Sequence, residues 1–166
     1  MRQIKSDRFH WPVCLLLPGV LLTACSDSGK PVSAGSGTEK VAVARLAVEP
    51  AVVARGGQLF KQHCASCHGD RAQGAFGWER PGAGGKYPPP PLDGSAHAWH
   101  HPTVQLKQTI QEGTLKLGGS MPAWKGRLSE ADTEAVVAWF QSTWPDEIYA
   151  AWADIDRRAR RGEAGH

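Results

Sequence analysis

Apolar residues fall at helical spacing in four stretches of the chain, and the segments between them carry little periodicity. From 51 to 64, Val52, Gly56, Leu59, Phe60 and His63 mark one face of a predicted helix. Gly56 and Gly57 each cost such a helix about 1 kcal/mol relative to Ala. A glycine kept inside a helical pattern points to close packing against another backbone. Val104, Leu106 and Ile110 predict a short helix over 102–112, with Pro102 in its first turn and Gly113 at its end. Residues 129–143 give the clearest helix: Ser129 is the N-cap, Asp132 follows three residues later, and Val136, Trp139, Phe140 and Thr143 share a face. The Trp139–Phe140 pair is expected to cross the first helix at Gly56. A last helix is predicted over 145–161, with Pro145, Asp146 and Glu147 in its first turn, four arginines towards its end and Gly162 as a stop. Its apolar stripe is Ile148, Tyr149, Trp152 and Ile155, which either packs on the rest of the chain or meets a partner.

The first helix runs into Cys64-Ala65-Ser66-Cys67-His68. Two thiols three positions apart on a helical turn suit thioether bonds to the two vinyl groups of one haem, and the adjoining His68 is then placed to ligate the iron. A zinc site would need four Cys or His ligands, drawing on distant residues such as His97 and His101. A redox dithiol would need a βαβ context, and the flanks are instead rich in Gly, Pro and Trp. A structural disulfide would leave the adjacent His68 without a reason.

The stretches at 69–101 and 113–127 read as loops. The first contains Tyr87-Pro88-Pro89-Pro90-Pro91-Leu92. Prolines keep their carbonyls, and a stiff carbonyl beside His68 suits acceptance of its Nδ1–H. A rigid linker or a partner-binding polyproline segment is the other reading. His97, His100 and His101 offer a second metal site or an alternative axial ligand, against the plainer reading of a polar loop. Met121 is the only methionine besides Met1, sits in a Gly-rich loop and precedes Pro122. A thioether on a constrained loop suits the distal face of a haem iron, where a Met/His pair raises the reduction potential. Core packing is the ordinary alternative for a lone Met.

At the N-terminus, Arg2, Lys5 and Arg8 precede a short apolar stretch, Trp11 to Leu22, that ends in Leu22-Thr23-Ala24-Cys25. This predicts a cleaved secretory signal. The Cys after small residues resembles the lipobox of bacterial lipoproteins, which implies that Cys25 becomes the lipidated N-terminus. A polar, Ser- and Gly-rich tether follows, with an r.m.s. reach of roughly 25 Å. Loss of residues 1–24 removes three basic residues and one Asp, so the formal charge falls from +3 to +1. No nucleic-acid footprint follows from that balance.

With these motifs assembled, residues 51–143 resemble a class I cytochrome c domain, similar to the short bacterial type in the haem subunits of cbb3-type oxidases. The resemblance rests on Gly56, Phe60, Cys64-x-x-Cys67-His68, Pro90-Pro91-Leu92, Met121-Pro122 and Trp139-Phe140. It implies an all-α fold around one covalent haem c, with His68 and Met121 axial and a proline carbonyl, Pro90 or Pro91, beside His68. The expected organisation is a signal peptide at 1–24, a lipidated Cys25 and tether at 25–50, the haem domain at 51–143 and a C-terminal helical extension at 144–166. Filled axial positions favour a membrane-tethered one-electron carrier on the periplasmic side. Its expected partners are a quinol-oxidising complex and a terminal oxidase or reductase. The rival readings are a haem subunit of a larger oxidoreductase, and a haem enzyme or small-ligand sensor with a labile distal ligand.

Overall fold

The computed structural model describes residue 45 and residues 47–163. The expected signal, Cys25 with its expected lipid, and nearly all of the expected tether lie outside the described residues. Among the described residues five α-helices follow in order: α1 Pro50–His63, α2 Ala65–His68, α3 Thr103–Glu112, α4 Glu130–Ser142 and α5 Asp146–Arg160. Single 3-10 turns occur at His97–His100 and Leu115–Leu117, inside segments expected to be loop. Such turns are too short to leave a periodic pattern. Among the described residues there is no strand beyond two isolated bridges, so the fold is all-α, as the resemblance implies. No described helix is long and apolar enough to cross a membrane.

The α1–α4 pair is the most extensive helix contact, and Gly56 makes it possible. A Cβ at Gly56 would stand 1.9 Å from the backbone oxygen of Ala135 and 2.9 Å from Trp139 Cβ. The missing side chain therefore lets the two backbones touch. Phe60 and Trp139 pack with tilted rings one turn further on, their centroids 4.3 Å apart. At the other end Arg55 pairs with Asp132 at 2.5 Å. The start of α4 is fixed by a complete capping box: Ser129 Oγ accepts from Asp132 N–H, and the Asp132 carboxylate accepts from Ser129 N–H. Thr143, expected on the buried face, is exposed at the C-cap, where its hydroxyl donates to Phe140 O.

Pro102 and Pro145 sit one position earlier than expected. Each is an N-cap with extended ψ, and its helix begins at the next residue. The face of α5 turns inward. Tyr149, Trp152 and Asp156 are buried, Ile148 and Ile155 are half-buried, and the helix packs on the His97–His100 turn. Asp156 accepts a hydrogen bond from Thr103 N–H at 2.7 Å, which satisfies an otherwise open donor at the start of α3. Arg160 pairs with the same carboxylate at 2.7 Å. Arg157 and Arg161 are likewise paired, with Asp154 and Glu163. Arg45 reaches the α4–α5 corner, donating to Trp144 O and Asp146 and lying over the Tyr149 ring.

Candidate functional site

Helix α1 continues almost without a break into the cysteine motif. Cys64 N–H donates to Phe60 O at 2.8 Å, and His68 N–H donates to Cys64 O at 2.9 Å. The one-residue gap between α1 and α2 leaves Cys64 half-buried and Cys67 exposed, both free of disulfide bonding. As a free thiol, Cys64 is pushed up to about 11 by burial, with the neighbouring Cys67 adding to the effect.

His68 is 8% exposed and its Nδ1 lies 3.0 Å from Pro90 O. A carbonyl can only accept, so Nδ1 carries the proton and Nε2 presents its lone pair. Burial pulls the imidazole below its ordinary value, and the Pro90 carbonyl opposes that shift. The ring is therefore held neutral with one nitrogen committed, as a metal-ligating imidazole requires. Of the two prolines left open by the sequence, Pro90 supplies the carbonyl. The approach depends on Gly74, at φ +72°, where a Cβ would stand 2.4 Å from Pro91 N and 2.6 Å from Pro90 C. Two further bonds hold the proline segment: Ala75 N–H donates to Pro89 O at 2.9 Å and Leu92 N–H donates to Ala72 O at 2.7 Å.

Met121 is half-buried and packs against the core cluster that includes Ala65, Phe60 and Trp124. One residue holds its backbone from both sides. Thr114 N–H donates to Met121 O at 2.9 Å, and Met121 N–H donates to Thr114 Oγ1 at 3.1 Å. The loop leading to Met121 meets the loop leading to the prolines through the Tyr87–Gly119 bridge, and Ser120 Oγ donates to Tyr87 O. Tyr87, Leu115 and Leu117 bring exposed apolar side chains to these loops. The donor set fits a haem: two thiols on one helical turn, a neutral imidazole with Nε2 free, and a thioether on a pinned loop.

Residues 51–140 match the family described as Cytochrome C oxidase, cbb3-type, subunit III. The chain belongs to that family. The cofactor of this cytochrome c domain is accordingly covalently bound haem c. The curated relatives agree. Over 93 residues the chain is 32% identical to the cbb3-type cytochrome c oxidase subunit CcoP of Azospirillum sp. (strain B510), covering 56% of this chain and 29% of the relative. It is 36% identical to CcoP of Rhodobacter capsulatus over 94 residues, covering 52% of this chain and 28% of the relative. With the subunit FixP of Bradyrhizobium sp. (strain ORS 278) it shares 32% identity over 89 residues, covering 54% and 27%. The chain thus spans less than a third of the length of these relatives. No solved structure matches it significantly.

The histidine cluster of this cytochrome c domain stands apart in character. His97 stacks on Trp78 and meets His101 edge-on at 5.9 Å, while His100 packs edge-on against Trp99. Burial lowers the His97 value, and the charges of His101 and His100 lower it further. Among the described residues no group of three or more His, Cys, Asp or Glu side chains is arranged to hold a metal ion, so the second-metal reading gains no support. Two residues of the surroundings escaped the sequence reading. Thr114 carries no motif that would single it out. Asp156 was visible in principle: it falls on the Tyr149–Trp152 stripe, where a carboxylate on a buried face needs a partner.

Proposed function

We propose that the chain is a membrane-tethered one-electron carrier. In this reading Cys64 and Cys67 would hold the haem, His68 and Met121 would ligate its iron, and Cys25 would carry the lipid. When bound, haem c supplies an iron that alternates between ferric and ferrous states. The observation that carries the reading is the His68–Pro90 hydrogen bond. It fixes the imidazole tautomer, leaves Nε2 as the only free ring nitrogen and raises its donor strength. Thr114 restrains the backbone of Met121 on the other loop, so the same coordination suits both oxidation states. With His68 and Met121 both ligating, the iron would offer no place for a substrate, and exchange of one electron with a docked partner would be the remaining activity. The sequence divides into a signal at 1–24, a tether at 25–50, the haem domain at 51–143 and the α5 extension at 144–166. The tether would hold the domain on the periplasmic side, near a quinol-oxidising complex and a terminal oxidase or reductase, and raise its effective concentration there.

The test is an absorption spectrum of the purified mature protein in both redox states, including the near infrared. The expected result is a methionine–iron charge-transfer band when oxidised, low-spin bands when reduced and no shift with carbon monoxide. A high-spin spectrum, or a carbon monoxide shift, would overturn the Met121 assignment and favour catalysis or sensing. Cys25→Ser should release the protein from membranes; continued retention would refute lipid tethering. The relatives favour a second reading, a haem subunit within a larger oxidase, because each is named as a cbb3-type oxidase subunit. Mild detergent extraction separates the two. A lone carrier elutes at its own size, whereas a subunit co-elutes with oxidase haems.

A further inference from the structure

The family match ends at residue 140, and the chain then turns a corner into α5. Trp144 occupies that corner and is 1% exposed. Its indole Nε1–H donates to Leu92 O at 2.7 Å. Leu92 lies two residues beyond Pro90, whose carbonyl accepts the His68 proton. We infer that Trp144 is a positioning residue for His68, so that the C-terminal extension tunes the iron through the proline segment. The inference rests on His68 being an axial ligand.

Pro88 to Pro91 have no N–H, so this segment cannot fix its carbonyls by donating to neighbouring backbone. Its orientation must be imposed from outside. On one side Ala75 N–H holds Pro89 O and Ala72 O holds Leu92 N–H. On the other side stands the Trp144 bond to Leu92 O. The fixed φ of proline makes 90–91 stiff, so the placement of Leu92 is passed back to the Pro90 carbonyl. Trp144 in turn has little freedom. Its ring packs against Phe140 at 6.0 Å and edge-on against Trp152 at 5.8 Å, and Tyr149 stands 5.0 Å from Trp152. Gly94 seals the contact from the loop side, where a Cβ would meet Pro145 Cδ at 3.1 Å and Trp144 Cδ1 at 3.2 Å. The extension is thereby a buttress behind the loop that orients His68.

A hydrogen bond from Nδ1–H raises the donor strength of the imidazole and so favours the ferric state. Loosening Leu92 should lengthen the His68–Pro90 bond, weaken that donation and raise the reduction potential. The experiment compares Trp144→Phe with Trp152→Phe in the full-length haem-loaded protein. Both variants remove an indole N–H from the same aromatic cluster, but among the described residues Trp152 Nε1 has no hydrogen-bond partner to lose. The readouts are the potential and the His68 Nδ1–H proton resonance of the reduced protein. Trp144→Phe should shift the one-electron equilibrium by about threefold towards the reduced form, near 30 mV at 59 mV per tenfold, and move the Nδ1–H resonance. Trp152→Phe keeps an aromatic ring against Trp144 and should move both clearly less than Trp144→Phe does, whatever its effect on unfolding. Equal shifts in the two variants, or none in either, would overturn the inference. A wild-type protein lacking an axial-imidazole resonance would sink the His68 assignment itself, and this inference with it. If Trp144→Phe does not fold, Gly94→Ala strains the same contact from the loop. It should raise the potential too, and an unchanged value there would also overturn the proposal.

Discussion

Replacing Gly56 by Ala adds one methyl group at the α1–α4 crossing, and the structure sets its consequence. The new Cβ would lie 1.9 Å from the Ala135 oxygen and 2.5 Å from the Ala135 carbonyl carbon. Reaching even 3.0 Å from that oxygen means moving the backbones about 1.1 Å apart. The obstacle is backbone inside a helix, so no side-chain rotation relieves it. Overpacking of this kind costs about 1–3 kcal/mol, and this geometry belongs at the upper end. Helix propensity offsets about 1 kcal/mol of it. The net loss is about 2 kcal/mol, which lowers the melting temperature of a domain this size by roughly 8 °C. Gly57→Ala is the internal control. Its Cβ would meet the Trp139 indole at 2.8 Å, a ring edge that can turn aside. That variant should lose less than about 1 kcal/mol. Urea and thermal unfolding of the two haem-loaded variants, followed by near-UV circular dichroism, decide the matter. If Gly56→Ala were as stable as Gly57→Ala, the close-crossing account of α1 and α4 would be wrong.

Three more outcomes are expected. Met121→Ala should lower the reduction potential and admit carbon monoxide; potentiometry and absorption spectra check it, and a spectrum identical to wild type would remove Met121 from the coordination sphere. Asp156→Ala leaves Thr103 N–H and Arg160 without their acceptor and should cost about 1–3 kcal/mol in urea unfolding, with α3 fraying first by hydrogen exchange. Hydrogen bonds from Ser129 and Arg55 hold the Asp132 carboxyl below its ordinary value of 3.8. Its folded value lies under its unfolded one, so its contribution is complete above about pH 4 and fades as pH falls through the lowered value. Ser129→Ala should cost about 1 kcal/mol at neutral pH and flatten the acid limb of the stability profile, whereas a parallel limb would show that the cap does not perturb Asp132.

What the sequence could convey follows from how local each feature is. The Cys64–His68 turn is legible because its residue spacing and its helical bonds act within five residues. The Gly56 crossing is legible because a helix keeps a costly glycine on its apolar face where another backbone must come close. The α4 cap is legible because Ser129 and Asp132 are three residues apart. The bonds that finish the site are long-range and leave no local trace. The Pro90 carbonyl is distinguished from Pro91 only by the placement of Gly74 and Ala72, and Thr114 is an ordinary loop residue until Met121 folds back on it. The inward turn of α5 is ambiguous in the sequence for a related reason. A stripe of Ile148, Tyr149 and Trp152 says that something covers it, and only the His97–His100 turn on the far side of a long loop says what.

The loop that orients His68 and the loop that carries Met121 share a design that bears on electron transfer. Neither belongs to a regular element that would stiffen it through its own repeating bonds. The proline segment gives up its donors, and the Met121 loop is cut by Gly113, Gly118 and Gly119. Left alone, such segments would let the ligand atoms drift with each change of iron charge. Each is instead tied at a few chosen atoms: Pro89 O, Pro90 O and both backbone groups of Leu92 on one side, and both backbone groups of Met121 on the other. The ties come from residues as remote as Trp144, and they act on the backbone while leaving Nε2 of His68 and the thioether of Met121 uncommitted. A site held this way keeps its geometry through supporting contacts, as functional constellations must if they are to be reproducible to a fraction of an ångström. On this view the α5 extension belongs with the haem site, because without Trp144 the proline segment is restrained from one face only.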